Sequence, residues 1–415
     1  KICNINIRFL IYFTYFCVIN KNNAMLNLDN FYRERYILKN AIHKTDLVHA
    51  TKINPECDVY LKPENLQNTG SFKVRGAYYK ISQLTDEEKA KGVIACSAGN
   101  HAQGVALGAA AHGIKALICL PEGAPISKIE ATRSYGADIC LVPGVYDDAY
   151  KKALQLKEEK GYTFIHPFDD ENVIAGQGTI GLELLDQLPD VEAVVASVGG
   201  GGLISGIAFA IKSLNPNVKV YGVQAAGAAS MVSSLEADKR VTLPSVSTIA
   251  DGIAVKEPGS LTYEACKKYV DGIVTVTEDE ICGAILHLLE KEKVVAEGAG
   301  AASVAAVMYN KVPVKGKKTI CVVSGGNIDV TILHRVIKRG LAKSGRVSVI
   351  NVELDDQPGK LGEVASVIAG CGGNISSVRH ERGGGSEKIN ACICRIVCET
   401  RNEEHVKEIN TALIN

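Results

Sequence analysis

Short apolar runs alternate with stretches of helical spacing from Val93 onward. Residues 93–96, 116–120 and 138–142 read as strands, and 102–112, 126–135 and 146–160 as helices that follow them. The alternation resumes with a strand at 193–198, a helix at 203–214 and a strand at 218–223. Short buried strands alternating with helices predict parallel sheets of βαβ units, an α/β architecture. Ligands in such sheets sit at the carboxyl ends of the strands. A last strand of this kind, 319–323, precedes a basic helical stretch at 332–343. The pattern then changes to strand 347–354, helix 360–369, strands 375–381 and 389–398, and helix 403–413. A Gly-Gly-Gly-Ser turn at 383–386 joins the last two strands. This βαββα run is expected to be a separate α+β unit, with its boundary near Ser344.

A chain of 415 residues has room for two or three domains and a large buried core. Its 46 basic and 46 acidic side chains give a formal net charge of +0, without a basic tract. That balance argues against nucleic acid or a membrane surface as partner. Thirteen cysteines, odd in number and irregularly spaced, point to a reducing cytoplasmic setting rather than a disulfide scaffold. Cys96, Cys119, Cys140 and Cys321 lie in apolar strands and read as small buried hydrophobes. Cys392, Cys394 and Cys398 share one strand face, but no matching Cys or His cluster stands elsewhere, so no metal site is expected. Residues 1–24 are rich in Ile, Asn, Phe, Tyr and Lys and contain no Gly, Asp or Glu. Their apolar core is too short to span a bilayer, and no small-x-small cleavage pattern follows it. They are expected to be a non-native leader, with ordinary protein sequence beginning at Met25.

Three of the forty glycines' clusters follow strands: Ser97-Ala-Gly-Asn-His-Ala-Gln-Gly104, Gly199-Gly-Gly-Gly-Leu203 and Ser324-Gly-Gly-Asn327. Consecutive glycines let backbone N–H groups close on an anion, and a following helix adds the positive end of its dipole. Gly199 to Gly202 therefore reads as a phosphate cup, or as a tight strand-to-helix turn. It is neither a P-loop nor a dinucleotide fingerprint. Lys73, between Phe72 and Val74, is either an exposed lysine at a helix start or a desolvated amine of lowered pKa.

Together, Lys73 in Ser-Phe-Lys-Val-Arg-Gly-Ala, Asn100 in its loop, the tetraglycine and Ser324-Gly-Gly-Asn resemble the fold-type II pyridoxal-phosphate enzymes, and among them the threonine dehydratases (threonine ammonia-lyases). The resemblance spans about residues 31–343, with the motifs in the family's order. It implies pyridoxal 5'-phosphate as cofactor, an amino-acid substrate and a homo-oligomer, dimer or tetramer. By the same resemblance, Lys73 binds the cofactor covalently and then removes the substrate's Cα proton. Phe72 lies along a ring face, and Asn100 bonds the phenolic oxygen. Gly199, Gly200, Gly201, Gly202 and Leu203 hold the phosphate. Ser324 faces the pyridine nitrogen. A neutral hydroxyl there, in place of a carboxylate, weakens delocalisation into the ring and favours prompt loss of a β-substituent. Ser97, Gly99, Asn100 and His101 would hold the substrate carboxylate, although His101 is as readily a structural histidine.

The resemblance implies conversion of threonine to 2-oxobutanoate and ammonia. Alternatives are a serine dehydratase, a serine racemase, or an amino-acid sensor that has lost catalysis. Racemases of the family carry a second Ser where Ala98 stands, so dehydration is favoured. The divalent-cation cluster of some relatives is not matched, because Gln224, Ala228 and Ser230 follow Gly222-Val223 without a carboxylate. Glu297 in Glu-Gly-Ala-Gly-Ala is read either as support for the site or as a helix start. Residues 25–343 are thus expected to be the catalytic domain. Residues 344–415 resemble an ACT module whose last strand is missing. Its Asp-x-Pro-Gly-x-Leu loop would place Asp356, Pro358, Gly359 and Leu361 at an amino-acid effector site.

Overall fold

The computed structural model describes residues 26–382 and 390–414. The leader and the turn at 383–386 lie outside these residues. Two parallel sheets carry the larger part of the chain. In one, β2 (Asp58–Pro63), β10 (Lys318–Val323), β7 (Ala193–Ser197), β8 (Lys219–Ala225) and β9 (Gly272–Val276) run parallel in that spatial order. β1 (Val48–His49) closes its edge, antiparallel to β2. The other sheet has the order β5 (Asp138–Val142), β4 (Ala116–Pro121), β3 (Val93–Cys96) and β6 (Thr163–Phe164). The α/β class and the fold-type II arrangement expected from the sequence are those observed. β1, β2, β6 and β9 were not singled out by the hydrophobic pattern. β1 and β6 are two residues long, and β2 is broken by the buried charge of Lys62.

The C-terminal strands β11 (Val347–Asp355), β12 (Asn374–Arg382) and β13 (Ala391–Glu399) form an antiparallel sheet of order β11-β13-β12. Helices Lys360–Gly370 and Glu403–Ile414 complete a βαββα unit around Ile350, Ile368, Ile396 and Ile409. Among the described residues every cysteine is free.

Two features fix the helix that begins at Lys73 (Lys73–Ser82). One is steric. A Cβ on Gly76 would stand 2.6 Å from the Val173 carbonyl oxygen, and one on Gly176 2.6 Å from Gly76 Cα. On another side, a Cβ on Gly104 would come within 3.1 Å of the Lys73 carbonyl. Glycines thus let helices Glu171–Gln187 and Asn100–Ala111 approach this one backbone to backbone. The other is electrostatic. Arg75 is fully buried and holds Glu64 with both arms of its fork, Nε to Oε2 and Nη2 to Oε1, each at 2.8 Å. Its Nη1 donates to Glu183 at 2.7 Å and to Thr179 at 3.1 Å. Lys62 Nζ reaches Glu183 at 2.6 Å and the Thr45 carbonyl at 2.6 Å. Burial alone would raise the Glu183 carboxyl, but Arg75 and Lys62 outweigh it and hold it below its ordinary value.

Helix Glu171–Gln187 also meets helix Gly202–Leu214 closely, where a Cβ on Gly206 would lie 2.2 Å from the Ile174 carbonyl and 2.6 Å from Gly178 N. Backbone cannot give way as a side chain can. Gly206→Ala is therefore expected to lower unfolding free energy by about 1–3 kcal/mol. Gly362→Ala, on an exposed helical position with open space around it, is expected to raise it by up to ~1 kcal/mol. Urea midpoints of the two variants test the contrast.

Candidate active site

The motifs that are distant in sequence meet at the strand ends. Lys73 Nζ donates to the Pro167 carbonyl at 2.7 Å. His166 shapes that turn, its Nδ1 accepting from the N–H groups of Phe168 (3.3 Å) and Asp169 (2.8 Å). The next ring, Phe168, lies against the tetraglycine: a Cβ on Gly200 would be 2.5 Å from it. Gly201 has φ +102°, so the turn into helix Gly202–Leu214 requires glycine there. The Gly200 carbonyl is tied down by the Thr262 hydroxyl at 2.5 Å. Asp169 in turn caps residues 260–262, accepting from Ser260 N and Leu261 N at 2.9 Å and from Thr262 N at 3.2 Å.

With its carbonyls held, the loop's donors are left over. Among the described residues no acceptor takes the backbone N–H of Gly199, Gly200, Gly201, Gly202 or Leu203. The same holds for Ala98, Asn100 and His101 in the first loop, where Ser97 Oγ accepts from Gly99 N at 3.2 Å. These are two separate sets of backbone amides without an acceptor among the described residues, each at the start of a helix, and each suited to an anion.

Asn100 is held at both ends of its amide. Its Nδ2 donates to Glu297 Oε1 at 2.7 Å and its Oδ1 accepts from Asn327 Nδ2 at 2.7 Å. Asn327 also donates to the Thr69 carbonyl at 2.7 Å, four residues before Lys73. Phe72 N donates to the Ser324 carbonyl at 3.1 Å, and Glu297 N to that of Gly325 at 3.1 Å. The loops of Lys73, Asn100, Glu297 and Ser324 thus form one hydrogen-bonded unit. Ser324 is buried and its Oγ accepts from Ser197 at 3.2 Å, which leaves the Ser324 hydrogen available to a ligand. Phe72 is partly buried and packs against the core cluster that contains Val198 and Leu203. His101 is buried and its Nε2 bonds the Ile165 carbonyl at 2.8 Å; burial and the neighbouring Lys73 lower its pKa to about 3, so the ring is neutral. Its imidazole therefore supports the loop.

Sequence reasoning missed Pro167, Phe168, His166 and Asp169, which carry no glycine-rich or lysine-centred signal. It left Glu297 between two roles, and the bond to Asn100 favours support of the site.

Burial lowers the Lys73 amine to about 8, with Glu297 acting in the opposite sense. Burial, reinforced by Asp251, raises Glu297 to about 7, while the Asn100 hydrogen bond favours its charged form. Lys73 is the desolvated amine, not the exposed one.

A reactive amine beside paired amide cradles, set at the strand ends of two parallel sheets, defines a fold-type II pyridoxal-phosphate enzyme. The model of the pyridoxal-phosphate-dependent enzyme family matches residues 38–326, and the chain belongs to that family. An L-threonine ammonia-lyase of Thermotoga maritima is 52% identical over 392 residues, covering 94% of this chain and 98% of that protein. One from Geobacter sulfurreducens is 46% identical, covering 90% and 93%. Coverage of 94% is more than residues 1–343 can supply, so the similarity runs into the C-terminal unit. Among solved structures, the processed threonine deaminase isoform 2 of Solanum lycopersicum aligns with TM-score 0.71 and 40% identity over 75% of this chain and 92% of that one. Serine racemase of Dictyostelium discoideum aligns with TM-score 0.70 and 38% identity over 74% and 100%.

The folded Lys73 amine loses its proton near 8 and the unfolded one near 10.5, so the cofactor-free protein gains stability from this group as pH rises through that window. Competitive acetylation of the cofactor-free protein, read at Lys73 by peptide mass spectrometry, is expected to show a midpoint near 8. Glu297→Gln removes the charge that holds it up and should move the midpoint lower; an upward move contradicts the coupling.

Proposed function

We propose that the chain is an L-threonine ammonia-lyase, eliminating water from threonine to give 2-oxobutanoate and ammonia. The observation that carries this reading is the desolvated Lys73 amine near two sets of helix-start amides that no acceptor among the described residues takes. Pyridoxal phosphate supplies the electron sink that makes the substrate's Cα–H acidic. The amides of Gly199 to Leu203 would hold its phosphate, Asn100 Nδ2 its phenolic oxygen, and the Ser324 hydroxyl its ring nitrogen. Phe72 borders the ring. The amides of the 97–101 loop, with Ser97, hold the substrate carboxylate. Lys73, whose amine is already pushed toward its neutral form by burial in the cofactor-free site, would take the Cα proton. The β-hydroxyl departs as water with a proton equivalent to the one lost from Cα, and the unsaturated amine that is released takes up water and hydrolyses to the 2-oxo acid and ammonia.

The similarity to serine racemases supports serine as a second substrate for the same elimination. Racemisation is disfavoured, since Ala98 offers only a methyl group, packed against the core of the smaller sheet, where a proton donor would be needed. Residues 25–343 act as the catalytic unit and 344–415 as an ACT-like regulatory unit. In the latter, Gly359, at φ +95°, opens helix Lys360–Gly370, and Asp356, Pro358 and Leu361 flank that turn. The backbone amides of the turn are suited to an amino acid's carboxylate. A cytoplasmic homo-oligomer acting in amino-acid metabolism, isoleucine synthesis included, fits this reading. No helix among the described residues is long and apolar enough to cross a membrane.

Lys73→Ala is expected to cut 2-oxobutanoate formation from threonine at least ~10²–10⁴-fold with the fold retained by circular dichroism. Turnover within tenfold of the parent refutes the assignment. Steady-state kinetics with threonine and serine, with and without isoleucine, tests the regulatory part: removal of residues 345–415 should abolish any effector response and spare kcat.

A further inference from the structure

The sequence alone places Cys392 and Cys394 on one strand face with no histidine to match. The antiparallel register of β12 on β13 supplies it, because His380 stands directly opposite Cys394. We propose that His380, Cys392 and Cys394, completed by Asp356, bind a borderline-soft divalent cation of the zinc type.

The donor atoms of His380, Cys392 and Cys394 all lie within 4.8 Å of one another. His380 Nε2 is 2.8 Å from Cys392 Sγ and 4.0 Å from Asp356 Oδ1. A tetrahedral zinc site with bonds of about 2.0–2.3 Å sets its ligand atoms roughly 3.3–3.8 Å apart. The three donors are within side-chain adjustments of that figure, the imidazole and Cys392 sulfur separating as the ion enters, while Asp356, 4.0 Å from the imidazole and outside that group of three, swings in to complete the shell. Two thiolates, one imidazole and one carboxylate are a zinc-type set rather than a calcium or magnesium set, which would be all oxygen. Both thiols lose their protons on binding.

The surroundings suit a bound ion. Cys392 and Cys394 are buried, and Cys394 packs with Val364 and Ile368 under the helices. The His380 side chain is about one-third exposed, which gives the cation a way in from solvent. Among the described residues this is the one place where three such donors converge. Cys119 and Cys140, also opposite each other on paired strands, gather no third donor. Elsewhere on β13, Cys398 faces the same core four residues away, outside the cluster. The fourth ligand, Asp356, begins the turn that opens helix Lys360–Gly370, so a bound ion ties that turn to the β12–β13 pair.

The test uses the full-length holoenzyme, purified reduced, loaded with zinc and dialysed against metal-free buffer. Elemental analysis is expected to find one zinc per chain, and X-ray absorption at the zinc edge two sulfurs at about 2.3 Å. Cys392→Ser and His380→Ala should each lose the retained zinc, Asp356→Ala should hold it at least tenfold more weakly, and Cys398→Ser should keep it. His380→Ala alters a partly exposed side chain, so it tests the site even if the buried cysteine variant does not fold. A sulfur-free zinc shell, no zinc after dialysis, or zinc content unchanged in both Cys392→Ser and His380→Ala overturns the proposal.

Discussion

The fork of Arg75 between Glu64 and Glu183 is the interaction on which the catalytic architecture rests. It joins the end of β2, the helix begun by Lys73 and the helix Glu171–Gln187, three elements from distant parts of the chain. With Lys62 the group is a neutral quartet of two cations and two carboxylates, so no net charge is buried. Such a quartet adds little net stability over a well-packed apolar core. Removing one member, however, leaves an uncompensated buried charge at a cost of about 3–5 kcal/mol. Its value is positional. Arg75 sits two residues after Lys73, and fixing its guanidinium fixes where that helix begins. The glycine approaches at Gly76, Gly176 and Gly104 press the neighbouring helices onto the same turn, and the desolvation of Lys73 follows from that closeness.

The remaining machinery is neutral. The tetraglycine and the 97–101 loop present amides, and Ser324, proposed to face the ring nitrogen, is a hydroxyl that accepts from a second hydroxyl. The phosphate and carboxylate of the proposed reaction call for no excess of arginines in a protein of zero net charge, because backbone dipoles at helix starts can take that role. Aiming them takes a supporting layer: Thr262 on the Gly200 carbonyl, Asp169 on residues 260–262, and His166 on the turn that presents Pro167 to Lys73. These groups occupy the neighbouring carbonyls and turns and leave the amides of Gly199 to Leu203 without an acceptor among the described residues.

The periodic segments of the fold were legible from local pattern, since β3, β5 and the helix Tyr146–Lys160 agree with their predicted spans. The site motifs were legible because glycine runs and the lysine motif are local too. What stayed hidden is non-local. The environment of Lys73 is set by Pro167, 94 positions away, and the roles of Asn100 by Glu297 and Asn327, 197 and 227 positions away. β2 is hidden for a related reason: its Lys62 and the following Glu64 look like surface residues until Glu183 and Arg75 arrive to pair them. His380 and Cys394 likewise become neighbours only through strand register.

Lys73 and Glu297 show what that non-local enclosure accomplishes. Each is shifted toward its uncharged form, the amine down to about 8 and the carboxyl up to about 7, and burial is the leading cause for both. In water their affinities for a proton differ by about six units; in this site the two values nearly meet. Asn100 stands between the two functions, bonded to Glu297 through Nδ2 and locked by Asn327 through Oδ1, so a change of charge on Glu297 is felt where Asn100 would hold the cofactor. In the proposed reaction, an amine whose charged form is disfavoured by burial does not become a deep trap for the proton it takes up. The cost is two poorly solvated ionisable groups, and the rigid frame around Arg75 is what lets the fold bear it.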